Sequence, residues 1–335
     1  MRLPSLHNLL NTTLVHRPAL ALVGALVSGC VVSGYGLSGC GRHAAVEEGP
    51  VAAATQVAVA EFGLTAASEA QGLSDLVAAA DGVLWTIAER QDHLLRVRVK
   101  DGELLSERVP LLGKPPGMDG ESLALLGDGR FAIGTERHGG KRATDVVLLG
   151  HLTADAAVVD EQLVLPYSLW QIEAEDNRGL EGLCYASALF AVAETTPEDQ
   201  GKRWAPLARR NADGTWSAAR LQLTSRSGKL SALACRPLAG GQVELWAIER
   251  HYGVSRWLRA VVPAQGPLPA EVTAVVQADL AKPVAAALKE LPNLEGIAFD
   301  AADPSAAWLI ADNSQGGRIV GPAVLLRVVP AGKGP

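Results

Sequence analysis

The chain has 335 residues, of which 48% are hydrophobic and 20% charged, and a formal net charge of −6. It is long enough to bury a large core, and without a basic stripe its charge excludes nucleic acid as a partner. Taking away the first 39 residues, which carry Arg2 and Arg17 and no acid, moves the balance from −6 to −8.

The amino terminus reads as a targeting segment. Arg2 and Arg17 precede an apolar stretch from Ala19 to Val27. Two sites of lipoprotein type follow, Val27-Ser28-Gly29-Cys30 and Leu37-Ser38-Gly39-Cys40. The better context predicts a signal peptide over 1–39 and lipidation of Cys40, with Cys30 as the alternative. Residues 40–55, small and acidic, then form a flexible tether, and 56–335 form the folded domain. The expectation is a monomer exported to the bacterial cell envelope, facing the periplasm and held to a membrane by its lipid.

Within the domain, one pattern recurs five times at intervals of 47 to 64 residues. A strand-like segment opens near Ser74, Glu121, Glu181, Ser231 or Glu295. It turns over and returns to end near Glu89, Glu136, Glu194, Glu249 or Asp312. Repeats of this length made of short β segments predict an all-β fold, a single β-propeller of six blades, with five as the alternative. Hairpin turns fall at Asp81-Gly82, Gly127-Asp128-Gly129 and Ala239-Gly240-Gly241. Further strands at Asp145 to Leu149, Gln162 to Leu165 and Arg259 to Val262 supply the outer parts of blades. A helical stretch is expected only near Ala281 to Leu291. The last strand, Pro322 to Val328, is expected to pair with the one beginning at Gln56, closing the ring and removing its exposed edges.

Trp85, Phe190 and Trp308 each stand four residues before a terminal acid, with Phe131 and Trp246 one position off that register. They are expected to pack between blades rather than to line a ligand box. Cys184 and Cys235 sit one residue apart in repeat position, so their side chains are expected on opposite faces, as two buried thiols rather than a disulfide.

Start and end of a hairpin are neighbours in space, so the acids of both positions should gather at one mouth of the ring. Clustered carboxylates repel unless something positive joins them. A hard cation, Ca²⁺, is the expected partner, with Glu121, Glu136, Glu181, Glu295, Asp312 and Asn313 as ligands and Asn177 and Asn293 as further oxygen donors. Internal pairing with Arg90, Arg137 and Arg250 is the alternative. Glu136-Arg137-His138 and Glu249-Arg250-His251 would place Arg137, His138, Arg250 and His251 beside the acids. With Glu181 and Glu194, they are the candidate catalytic groups for a small anionic ester. No Gly-x-Ser-x-Gly, His-Glu-x-x-His or phosphate-loop motif is present, and Ser231 has no neighbour that would activate it.

Four segments carry a family resemblance. They are Asp119-Gly120-Glu121 with Glu136-Arg137, Asn177-Arg178-Gly179-Leu180-Glu181-Gly182-Leu183 with Ala193-Glu194, Leu245-Trp246-Ala247-Ile248-Glu249-Arg250, and Asn293-Leu294-Glu295-Gly296 with Asp312-Asn313. Over about residues 65 to 330 the chain resembles the bacterial "esterase-like activity of phytase" family, exported phytase-like propellers. The resemblance implies hydrolysis of phosphate or carboxylic esters, with Ca²⁺ in related propellers. Against phytate itself stands the small set of basic residues near the motifs, Lys114, Lys141 and Lys229 besides the arginines. The competing expectation is a non-catalytic binding or scaffold propeller whose acids form a calcium or salt-bridge collar.

Overall fold

The computed structural model describes residues 55–64, 72–100, 103–137, 140–174, 178–312, 314–315, 318–319 and 323–331. By its contacts the chain divides into Met1–Ala44 and Ala45–Pro335, and every described residue belongs to the second unit. Cys30, Cys40, the expected signal peptide and the tether up to 54 lie outside the described residues, as do His138, Asn177 and Asn313. No helix among the described residues is long and apolar enough to cross a membrane.

After an opening strand β1 (Val57–Leu64), each repeat forms a sheet of four antiparallel strands. The first blade is β2 (Leu73–Ala78), β3 (Leu84–Ala88), β4 (His93–Lys100) and β5 (Glu103–Leu112). The second is β6 (Asp119–Gly127), β7 (Arg130–Glu136), β8 (Thr144–Leu152) and β9 (Ala157–Pro166). The third holds β10 (Gly182–Tyr185), β11 (Leu189–Val192), β13 (Lys202–Arg210) and β14 (Trp216–Gln222), with the short β12 (Glu198–Asp199) paired to β13. The fourth is β15 (Lys229–Leu238), β16 (Gln242–His251), β17 (Val254–Pro263) and β19 (Val275–Asp279). Its loop strand β18 (Glu271–Thr273) runs parallel to β14 of the third. After the helix α1 (Ala281–Leu288), the fifth blade is β20 (Asn293–Phe299), β21 (Ala307–Asp312) and β24 (Ala323–Pro330), and β22 (Ser314–Gln315) pairs with β23 (Arg318–Ile319).

β1 supplies the fourth strand of that last blade. It pairs with β24 from Val57↔Pro330 to Leu64↔Ala323, so the ends of the domain close the ring as expected. The innermost strands β2, β6, β10, β15 and β20 pack in cyclic order, with β20 against β2. Among the described residues the propeller therefore has five blades, one per repeat, the alternative rather than the six-bladed form.

The period-2 alternation of each strand sends successive side chains to the two blades that flank it. Trp85 and Phe131 pack together in the cluster between the first two blades, Phe190 lies between the third and fourth, Trp246 between the fourth and fifth, and Trp308 between the fifth and first. All five are at most 9% exposed, which makes them packing residues.

Cys184 and Cys235 form a disulfide, with Cα atoms 5.5 Å apart, contrary to the expectation of two thiols. The one-residue offset does place them on opposite faces of their own blades. Blades stack front to back, however, so opposite faces are the ones that meet: Leu183 packs toward the second blade, while Cys184 and Leu233 meet in the cluster between the third and fourth. The bond staples those two blades across 51 residues of sequence. Replacing both cysteines by alanine is expected to cost about 2–3 kcal/mol in urea denaturation, and reductant should lower the wild-type protein to the same midpoint.

Candidate metal and active site at the channel mouth

The innermost strands approach so closely that a Cβ on Gly182 would stand 2.6 Å from the Leu233 nitrogen, and one on Gly296 2.5 Å from the Asp75 carbonyl carbon. The glycine that follows Glu181 and Glu295 is thus required by backbone meeting backbone. Four of these strands, β2, β6, β15 and β20, also break register near their start, between Ser74/Val77, Gly120/Ser122, Leu230/Ala232 and Leu294/Gly296. A bulge of this kind leaves one residue out of the ladder and re-aims its side chain. In β6 and β20 that residue is Glu121 and Glu295.

Glu121, Glu136 and Glu181 come together. Each offers a carboxylate oxygen, these oxygens all lie within 4.8 Å of one another, and all three residues are buried. Glu136 arrives from the other end of the hairpin, where its neighbour Asp119 pairs with it across the ladder. Behind it Arg142 holds Asp145, with Nε 2.5 Å from Oδ1, while the Tyr167 hydroxyl donates to Asp145 Oδ2 at 2.6 Å.

The electrostatics follow from this crowding. Burial, then the charges of Glu89, Glu136 and Glu295, push the Glu121 carboxyl well above the usual carboxylate range. Burial, then Glu121 and Glu295, do the same to Glu181. Glu89 is raised to about 7 by burial and by Asp312 and Glu295. The Ser74 hydroxyl stands 3.3 Å from Glu89 and 3.2 Å from Glu121 and can donate its single proton to only one at a time.

The opposite side of the mouth is cationic. Arg250 pairs with Glu295 through Nη2 and through Nε at 3.3 Å, and Asn293 Nδ2 donates to the same carboxylate at 2.5 Å. Lys229 pairs with Glu194. His251 sits at this rim with its ring edge-on to Tyr252, centroids 4.5 Å apart. Burial, then the charges of Lys229, Arg203 and Arg250, lower its pKa, so the imidazole is neutral at pH 7.

Of the expected ligands, Glu121, Glu136 and Glu181 therefore converge. Glu295 is taken up by Arg250, Asp312 lies within the electrostatic reach of Glu89 and Glu295, and Asn313 is not among the described residues. Of the expected catalytic groups, Glu181, Glu194, Arg250 and His251 are at the mouth. Arg137 turns along its own blade, where Nη2 donates to the Thr144 carbonyl at 2.9 Å, and His138 is not described. Lys114 is likewise spent on structure, bonding the Glu89 and Gln91 carbonyls and Asp92.

Glu249 does not join the ring. Its two oxygens accept the Thr224 and Ser225 amides, at 3.0 and 2.9 Å, and both hydroxyls. The reason is register: Asp119 faces Glu136 and Asn293 faces Asp312, and the matching pair in the fourth blade is Lys229 with Arg250. Arg250 holds the position that an acid holds elsewhere. The aromatic register carried this signal, since Trp246 stands four residues before Arg250 as Trp85 does before Glu89.

Sequence reasoning also missed Asp75, a fully buried acid at the bulge of β2 with a left-handed backbone, φ 53°. Its Oδ1 accepts the Leu76 amide at 2.8 Å, and its Oδ2 those of Leu123 at 2.9 Å and Leu183 at 3.5 Å. One carboxylate thus ties the innermost strands of three blades just beyond Glu121 and Glu181. In the repeat alignment it stands where the other copies have Ser122, Gly182, Ala232 and Gly296, an acid in a column of small residues.

The donor set fits a hard divalent cation. All three groups are carboxylate oxygens, and a spread of 4.8 Å equals about twice a calcium–oxygen distance of ~2.4 Å, so one ion can touch all three.

Among solved structures, the chain is similar to an endo-arabinase from Bacteroides thetaiotaomicron (10% identity, 78% of this chain and 96% of that one, TM-score 0.43). It is also similar to a luciferin-regenerating enzyme (10%, 82% and 96%, 0.43) and to a PQQ-bound aldose sugar dehydrogenase from Streptomyces coelicolor (13%, 82% and 100%, 0.38). These likenesses are too distant to bear on function. No curated protein matches the sequence. The profile of the phytase-like family, described as esterase-like activity of phytase, matches residues 68–315, which include every described acid of the mouth. The chain belongs to that family, as the order of its acid-bearing hairpins implied.

Proposed function

We propose that this propeller is an envelope-anchored, calcium-dependent hydrolase of small phosphate or carboxylic esters. The observation that carries the reading is the convergence of Glu121, Glu136 and Glu181 on one side of a mouth whose other side presents Arg250, Lys229 and His251. Glu121, Glu136 and Glu181 would hold the ion. When bound it supplies a Lewis acid for a phosphoryl or acyl oxygen and acidifies a water. Arg250 and Lys229 attract and orient the anionic part of the substrate. Without the ion, burial and the charges of Asp312 and Glu295 hold Glu89 at about 7, which places a protonatable carboxyl beside Ser74 and Glu121. A lipid on Cys40, or on Cys30, with a tether to the domain, would keep this mouth at the envelope, facing the periplasm.

The test is turnover of p-nitrophenyl phosphate and p-nitrophenyl acetate with calcium and with EGTA. Glu181→Gln is expected to abolish a calcium-dependent activity while leaving the fold intact by circular dichroism. The pairs Arg250–Glu295 and Lys229–Glu194 favour the second reading, a collar that neutralises part of the ring without chemistry. Calcium-dependent stability with no turnover in either protein would favour it.

A further inference from the structure

At the end of the third blade opposite the acidic mouth lies a cleft of roughly 750 Å³. Its walls include Leu126 and Leu163 of the second blade and Tyr185 and Leu189 around the β10–β11 turn; Arg209 and Arg210 lie in its lining, and so do the carboxylates Glu161 and Asp213. Arg209 is only 2% exposed, and its hydrogen bonds all go to neutral oxygens: Nη1 to the Pro263 carbonyl at 2.9 Å, and Nη2 to Asn211 Oδ1 at 2.9 Å and the Gly266 carbonyl at 2.5 Å. Its buried Nε has no hydrogen-bond partner among the described residues. Two half-buried arginines have a carboxylate partner instead: Arg142 faces Asp145 and Arg250 faces Glu295. A buried guanidinium with no counter-ion is costly, and a carboxylate reaching it from the cleft would offset that cost.

We infer that this cleft binds a small amphipathic carboxylate, its charged end at Arg209 and its apolar body against Leu126, Leu163 and Tyr185. The site is separate from the acidic mouth and does not depend on metal there. Isothermal titration calorimetry with sodium octanoate, 1-octanol and sodium phosphate tests it on the wild type and on Arg209→Met, Arg209→Lys and Ala212→Trp. Octanoate should bind at least about tenfold more tightly than octanol or phosphate. Arg209→Met should weaken it by about tenfold or more, and Arg209→Lys by less, since the charge stays and only the fork is lost. Ala212→Trp, on the exposed turn at the rim, should block binding without touching Arg209. The inference is overturned by no heat with octanoate, by equal binding of octanol or of phosphate, or by octanoate affinity unchanged in both Arg209→Met and Ala212→Trp.

Discussion

Replacing Asp75 by alanine is expected to remove about 5 kcal/mol of folding stability, the largest single-residue effect outside the packed core. The change strands three amides, of Leu76, Leu123 and Leu183, in the crowded centre of the ring. Each buried orphan costs about 1–3 kcal/mol, and alanine must also adopt the left-handed backbone that aspartate and asparagine tolerate better. Asparagine separates the two causes. It accepts the φ of 53° but offers one acceptor oxygen in place of two, so about half of the loss should remain. Urea denaturation of the three proteins measures both. An Asp75→Asn protein as stable as the wild type would show that the carboxylate does not hold the blades together.

Arg250→Met should cost about 3–4 kcal/mol near neutral pH, because it leaves Glu295 buried beside Asp312 with no guanidinium to balance it. The sign of the pH dependence follows from the direction of the shifts. Glu295 and Glu89 are carboxyls held above their ordinary values, Glu89 at about 7 against 4.5. In the metal-free protein the unfolded chain ionises first as pH rises, so the folded state binds more protons and stability falls between about pH 4.5 and 7. This is the reverse of the usual salt-bridged carboxylate. Removing Arg250 raises Glu295 further, so the penalty in Arg250→Met should shrink as the solution is brought to about pH 5. A penalty that stays constant across this range would mean that Glu295 is not ionised in the wild-type protein.

Much of this architecture is written in the repeat. Hairpin turns, the inward-facing acids, the packing aromatics and the closure of β1 on β24 all follow from local periodicity and from strand ends meeting at one rim. What escaped has a common cause, since each case turns on a one-residue phase that only three-dimensional stacking fixes. Cys184 and Cys235 were one position apart, which separates side chains within a sheet but brings them together between stacked sheets. Glu249 and Arg250 are adjacent, and the ladder, not the acid itself, selects which one faces the mouth. Asp75 was hidden because the bulge in β2 turns toward the channel a residue that simple alternation would send elsewhere. Five copies of the repeat make five blades rather than six, because β20 packs directly against β2.

The most direct test of a calcium centre at Glu121, Glu136 and Glu181 is thermal denaturation of the wild type and Glu121→Gln at about pH 5 and about pH 7.5, each with EGTA or with about 1 mM calcium. Repulsion among buried acids predicts that the metal-free wild type melts higher at the lower pH and that calcium raises its melting temperature chiefly at the higher one. Glu121→Gln should melt above the metal-free wild type at about pH 7.5, because one of the crowded charges is gone, and should respond little to calcium. A wild type indifferent to calcium at both pH values, with Glu121→Gln less stable than it, would contradict the metal centre.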